Sequence, residues 1–320
     1  MKKLLTLATS VMLGVGVIVG AAACAKEPAE TETPEPTSLG LRIGTLQTDD
    51  LLPLWVAEQQ GLLEQAGLPV KIMTFQSAQE QIVAVTAGEI DAIMTDMVVG
   101  AQLSASGVPM KFVTVMQNAP AGIVAGAGTG IKTAADLAGV ETGCSSPTIL
   151  EYIYDRALAA AGVPDDQIVT TEIKKLPVRL QMLTAGQIKA AVLPWTLYQL
   201  AIAQGGVPVA GLDQVGGYTS TVLAFRASWL SDAGAGSFVT SLLKVWDEGV
   251  AAINANPDAH RALLAAKANL PAPLDTTYQV RHYPNSGRPD ATQVADVIEW
   301  MSAKGYLTTN LSPGDLVWPA

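Results

Sequence analysis

The residues of this chain that could do chemistry are mostly uncharged polar or acidic, and they fall at the ends of short apolar runs. Thr45, Gln47, Thr48 and Asp49 lie at the end of a run that starts at Leu41, Ser77 follows VKIMTFQ, and Thr95 and Asp96 follow AIM. Asn118 follows KFVTVMQ, Ser145, Ser146 and Thr148 follow TGC, Trp195 follows AAVLP, and Tyr218 closes VGGY. Hydroxyls, amides and carboxylates hold a small molecule by hydrogen bonds, and an indole face stacks on a planar ring or sits against a cation. No Arg or Lys stands among these run-end positions. A fully ionised sulfonate, nitrate or phosphate is usually met by a cation or by many converging N–H donors. Asp49 and Asp96 therefore point to a solute that donates hydrogen bonds or carries positive charge, with Asp50 the rival of Asp49 for that role.

Catalytic machinery is not legible. The chain has no GxSxG, HExxH, P-loop or strand-placed GxGxxG, and no His and Cys constellation with metal-ligand spacing. His260 falls on a C-terminal helix and His282 in the loop YQVRHYPNSGRPD. Apart from Cys24 the only cysteine is Cys144, which reads as a buried structural thiol and excludes a disulfide within the mature body. The expectation is a binding protein with no enzymatic activity, no cofactor and no metal.

The elements that must position these residues alternate in an α/β rhythm. Strands are predicted over 41–47, 70–76, 91–96 and 111–117, and helices over 52–65, 78–87 and 97–106. Pro53 near the first helical position should leave the N–H groups of Leu54 and Trp55 at a strand's carboxyl end, where open α/β sheets bind ligands. After the Gly-rich AGIVAGAGTGI the rhythm restarts, with strands over 141–145, 168–175, 190–195 and 207–211 and helices over 147–161, 177–185 and 196–204. Ser146 reads as the cap of the first of these helices, Pro147 lies in its first turn, and Glu151 could face either way. After VGGY the alternating TSTVLAFRASWL should rejoin the first unit, followed by helices over 235–254, 256–268 and 290–303. Two crossings give an α/β fold of two lobes, with mostly parallel sheets flanked by helices and a two-strand hinge. Lobe 1 would comprise 40–121 and 217–320 and lobe 2 122–216, with the cleft between them.

Residues 1–23 read as an export signal: Lys2 and Lys3, then an apolar run to Ala23. A retained transmembrane helix is the alternative. Cleavage after Ala23 removes two Lys and no acid, taking the formal charge from −10 to −12. So acidic a chain is a poor partner for nucleic acid, which needs a basic face. The segment from Cys24 to Leu39 is rich in Glu, Thr and Pro and reads as a disordered tether.

Four segments together resemble the solute-binding proteins of bacterial ABC importers, in the branch of sulfonate, nitrate and thiamine-pyrimidine-precursor binders. They are LRIGTLQTDDLLPLWVAEQQGLLEQAGLPVKI, TAGEIDAIMTD, IKTAADLAGVETGCSSPTILEYIYDRAL and KKLPVRLQMLTAGQIKAAVLPW. The resemblance covers nearly the whole mature chain and rests on their order and spacing. It implies a type II periplasmic-binding fold that closes around a solute and delivers it to a membrane permease. Ser145 to Thr148 correspond to the second-lobe helix start that faces the solute, and Trp195 resembles the position from which a second-lobe side chain reaches into the cleft. Ala21-Ala22-Ala23-Cys24 resembles a lipobox, with Ala21 where Leu is usual, and implies lipidation at Cys24. The expected partners are a small-molecule solute, an ABC permease, and the membrane through the Cys24 lipid. The protein would be an extracytoplasmic, membrane-anchored monomer. The solute read from Asp49, Asp96 and Trp195 is a small organic molecule of the aminopyrimidine kind. The alternatives are an aliphatic sulfonate or taurine-type solute, or a sensor that presents its solute to a membrane receptor.

Overall fold

The computed structural model describes residues 39–117, 121–210, 220–270 and 272–319. The export signal, Cys24 and nearly all of the tether lie outside them, as do Asn118 and Tyr218. No helix among the described residues is long and apolar enough to cross a membrane.

The first half alternates β1 (Leu41–Leu46), α1 (Leu52–Gln59), α2 (Leu62–Gln65), β2 (Val70–Phe75), α3 (Ala78–Ala87), β3 (Ala92–Asp96), α4 (Met97–Ala105) and β4 (Met110–Gln117). The second half runs β5 (Ala121–Ala125), β6 (Thr142–Cys144), α5 (Ile149–Ala160), β7 (Thr170–Glu172), α6 (Leu176–Thr184), β8 (Ala190–Pro194), α7 (Trp195–Ala203) and β9 (Val207–Ala210). The chain then returns as β10 (Ser220–Arg226), α8 (Ala227–Leu230), α9 (Ala235–Ala255), α10 (Arg261–Lys267), α11 (Leu274–Thr277), α12 (Ala291–Ala303) and α13 (Pro313–Leu316).

These strands make two five-stranded sheets, ordered β2-β1-β3-β10-β4 and β7-β6-β8-β5-β9. Four strands of each sheet run one way and a single strand, β10 or β5, is reversed. The reversed strand is in each case the one entering from the other half. It begins at its new sheet's carboxyl edge: Ala121 of β5 pairs with Pro194, the last residue of β8, and Thr221 of β10 pairs with Asp96, the last of β3. The expected mostly parallel sheets are therefore mixed at one strand each, because a short crossing between two carboxyl edges has no other direction to take.

The helix predicted over 52–65 is broken into α1 and α2 at Gly61, whose φ of 73° lies in the left-handed region. Leu52 to Ala57 are all buried, because the sheet covers one side of α1 and α9 the other. The two helices approach so closely at Gly249 that a Cβ there would lie 2.2 Å from the Pro53 carbonyl oxygen. The Trp55 N–H bonds to the Leu51 carbonyl, so it is not the free donor that the Pro53 start suggested. The strand predicted over 168–175 is only Thr170–Glu172, and TSTVLAFRASWL turns from strand to helix at Ala227.

Candidate functional site

The carboxyl edges of both sheets border one cavity of about 80 Å³. That is room for on the order of half a dozen water-sized positions. From the first sheet come Thr48 and Asp50 after β1, Thr95 and Asp96 at the end of β3, and Thr221 near the start of reversed β10; from the second come Ser145 after β6, Thr148 and Ile149 at the start of α5, Lys174 after β7, and Pro194 at the end of β8.

Five of the residues expected at a site line this cavity: Thr48, Thr95, Asp96, Ser145 and Thr148. Gln47 lines a neighbouring, largely apolar cavity with Gln76, Leu180, Leu197 and Leu270, and Leu176 borders both. Thr45 is fully buried within β1, and its hydroxyl has no partner among the described residues. Ser77 caps α3, its Oγ accepting the Glu80 N–H at 3.2 Å. Trp195 stacks on Tyr198, centroids 5.1 Å apart, and is absent from the cavity wall.

The expected Ser146 cap is not what forms. Helix α5 begins at Ile149 with Thr148 at its cap position, and Thr148 Oγ1 donates to the Ser145 carbonyl at 2.7 Å. The Ser146 N–H instead reaches Glu172 Oε2 at 3.0 Å. Glu151, ambiguous in the sequence, is buried and accepts from the Tyr306 hydroxyl at 2.6 Å. It joins a polar seam between α5 and the α12 region, in which Lys304 lies 2.6 Å and Trp300 Nε1 3.0 Å from Asp155 Oδ2, and the Tyr152 hydroxyl donates to Asp296.

Asp49 also has a different role from the one expected. Its carboxylate is buried and accepts from Arg281 Nε at 2.7 Å, Tyr278 at 3.0 Å and Tyr283 at 3.2 Å. The cation missing from the run ends is thus present, supplied from the loop YQVRHYPNSGRPD. Burial alone would lower the Arg281 pKa, but Asp49, Tyr283 and Asp50 hold it above its ordinary value. The acid turned into the cavity is Asp50, which accepts from Thr48 Oγ1 at 2.6 Å and has Arg281 Nη2 at 3.6 Å. Burial pushes the Asp50 carboxyl up to about 6 with help from Asp49, against the opposing pull of Arg281 and Thr48.

Asp96 caps α4 by accepting the Val99 N–H at 2.9 Å, and the N–H of Ile149 at the head of α5 is near enough to lower its pKa. Burial raises its carboxyl to about 6 in spite of these donors, and the charge on Asp50 adds to the rise. Asp50 was the rival of Asp49 in the sequence, while Lys174 and Thr221 had not stood out as cavity residues. Thr221 escaped because a reversed strand presents its first residues at the edge where the others present their last.

Cys144 is fully buried outside the cavity wall, and burial pushes its thiol up to about 12. No group of three or more His, Cys, Asp or Glu among the described residues is arranged to hold a metal ion.

Over 321 residues, 98% of this chain and 94% of the relative, the sequence is 25% identical to a protein of Escherichia coli (strain K12) provisionally named as aliphatic sulfonates-binding. The fold is similar to that of the alkanesulfonate-binding protein SsuA of Xanthomonas axonopodis pv. citri bound to MOPS, with a TM-score of 0.75 and 20% identity over 88% of this chain and 98% of that one. It is also similar to the periplasmic aliphatic sulphonate binding protein SsuA of Escherichia coli, at a TM-score of 0.74 and 20% identity, again over 88% and 98% of the two chains. The architecture is that of two-lobed periplasmic binding proteins. The family profile described as NMT1/THI5 like matches residues 48–260, more than half of the sequence, and the chain belongs to that family.

Proposed function

We propose that this chain is an extracytoplasmic solute-binding protein that captures a small organic solute between two lobes and delivers it to an ABC importer. One observation carries the reading: a cavity is walled by polar residues from both sheets, Thr48, Asp50, Thr95 and Asp96 on one side and Ser145 and Thr148 on the other. A solute shifts an opening and closing equilibrium only through contacts that differ between the two states, and a ligand touching both walls makes such contacts. The division into lobe 1 (40–121 and 217–320) and lobe 2 (122–216) accords with one sheet in each, apart from Ala121 at the start of β5, and takes the crossings as hinge. Export, lipidation at Cys24 and a monomer held near a permease complete the proposal.

The buried, high-pKa thiol of Cys144 and a cavity lining that includes neither His260 nor His282 support binding without catalysis. An aminopyrimidine-like solute accords with the acids in the wall. The second reading, an aliphatic sulfonate, draws support from the names of the relatives and from Lys174, the one basic residue lining the cavity among the described residues.

Mass spectrometry of material released on denaturing protein purified under native conditions tests the reading. The expected result is one small organic compound in near-stoichiometric amount, rebound on addition and recovered unchanged. Conversion of that compound by the protein, or no binding of it on addition, overturns the proposal.

A further inference from the structure

We infer that Asp50 and Asp96, together with the hydroxyls of Thr95 and Thr221, form a subsite for a protonated amino or amidino group of the solute. This rests on reading the cavity as the solute site and names the chemical class that the site selects.

Three independent observations converge on it. The first is the charge of the wall. Arg281 is committed to Asp49, and the approach of its Nη2 to Asp50 at 3.6 Å leaves the group Asp49, Asp50, Asp96 and Arg281 with an excess of negative charge. Lys174 stands on the opposite wall with its side chain half exposed and Glu172 at 4.0 Å. An anion placed against Asp50 and Asp96 would meet like charges at close range in a partly dehydrated site, where they act strongly.

The second is the head of α5. The N-terminus of a helix is where an anionic ligand would be held by free N–H groups. Here the Asp96 carboxylate approaches the Ile149 N–H at that position from the first sheet's edge, near enough for that N–H to lower its pKa. A carboxylate of the protein thus stands beside the place of an anionic ligand, and a sulfonate or nitrate held there would meet its charge.

The third is a pair of unmet hydroxyls. Thr95 and Thr221 are only 7% and 8% exposed and line the cavity, and neither side chain has a hydrogen-bond partner among the described residues. Neither oxygen is sealed in the interior, so both hydroxyls stay accessible to a group that enters the cavity. Thr221 pairs with Asp96 across the ladder, and Thr95 precedes Asp96 in β3, so both belong to the same corner of the wall. An ammonium or amidinium group carries only donors. Two carboxylates and two hydroxyl oxygens are the acceptors it needs. No group of three or more His, Cys, Asp or Glu among the described residues is arranged to hold a metal ion, and Asp49 is committed to Arg281, which favours an organic cation.

The test uses the intact protein with a matched set of probes, benzylammonium and benzamidinium against benzenesulfonate, by calorimetry and thermal shift. It is combined with identification of the natively retained solute and with the variants Asp50→Asn and Asp96→Asn, whose folding is checked by circular dichroism. The cations are expected to bind and benzenesulfonate not to, each variant should weaken the cations by about tenfold or more, and the retained solute should contain a basic nitrogen. Benzenesulfonate binding as tightly as benzylammonium, a retained solute with no basic nitrogen, or unchanged cation affinity in both variants overturns the subsite while leaving the solute-binding role intact. No retained solute and no binding of any probe would instead sink the reading of the cavity as a solute site.

Discussion

Arg281 Nε donates to Asp49 Oδ2 at 2.7 Å, joining two residues 232 positions apart in sequence. Both are nearly fully buried, and Tyr278 and Tyr283 complete the shell of donors around the carboxylate. The pair ties the loop after α11 to the turn after β1 and leaves Asp50 as the acid that faces the cavity.

Replacing Arg281 by Met should therefore act on stability before it acts on binding. Removing one partner of a buried ion pair strands the other charge and costs about 3–5 kcal/mol. Urea unfolding should show that loss, and adding Asp49→Asn to the same chain should recover part of it, since the uncompensated charge is then gone.

The two cavity acids predict an unusual dependence on pH. Asp50 and Asp96 have folded-state pKa values raised from 3.8 to about 6, so the folded protein takes up their protons more readily than the unfolded chain does. At neutral pH both are ionised in either state and their desolvation weakens the fold. As pH falls through about 6 the folded state protonates first, and stability from these two groups rises until the unfolded chain also protonates near pH 4. The groups around them set the size of the shift: Asp49, Arg281 and Thr48 at Asp50, and the N–H groups of Val99, Ile149 and Val98 at Asp96. Each contributes at most about 3 kcal/mol, at about 1.4 kcal/mol per unit. Solute-free protein should gain thermal stability between pH 7 and 5, and the Asp50→Asn, Asp96→Asn double variant should be flatter over that range. Equal slopes would contradict the burial of these carboxyls.

The seam between α5 and α12 predicts a coupling between closure and Lys304. Its ammonium lies 2.6 Å from Asp155 Oδ2 and 3.8 Å from Glu151 Oε1, and burial raises the pKa of Glu151. With Lys304→Met the two carboxylates face one another without a cation. Because the lysine side chain is 37% exposed, the cost should be only about 1 kcal/mol. Small-angle scattering of the solute-free variant should report a larger radius of gyration than the parent, with solute restoring the compact form.

Gly249→Ala should be among the more damaging small substitutions. A methyl group at that point of α9 would lie 2.2 Å from the Pro53 carbonyl oxygen and 2.9 Å from its carbon. Backbone of α1 cannot step aside as a flexible side chain would, so the two helices must separate, at about 1–3 kcal/mol or more. Chemical denaturation measures it, and an unchanged midpoint would mean that α1 and α9 pack less closely than described.

Much of the fold could be read along the chain because it depends on local patterns. The alternation of apolar runs and polar turns located nearly every strand and major helix, and the change to Gly-rich texture after β4 marked the passage to a second sheet. Polar residues at the end of β3 and after β6 lie on the cavity wall, because a side chain at a parallel strand's carboxyl end has little choice of edge. Three things were not legible along the chain, the first two because they depend on contacts between distant segments. Which of the adjacent acids Asp49 and Asp50 turns outward was decided by Arg281, Tyr278 and Tyr283, all more than 220 positions away. The place of Thr221 was decided by the reversal of β10, a property of how the sheets are joined. Trp195, attractive in sequence as a stacking face, found its partner in Tyr198 one helical turn on. Periodicity along a chain determines which residues share an edge or a face, but the neutralisation of a buried charge and the direction of a returning strand are settled only when segments far apart in sequence pack together.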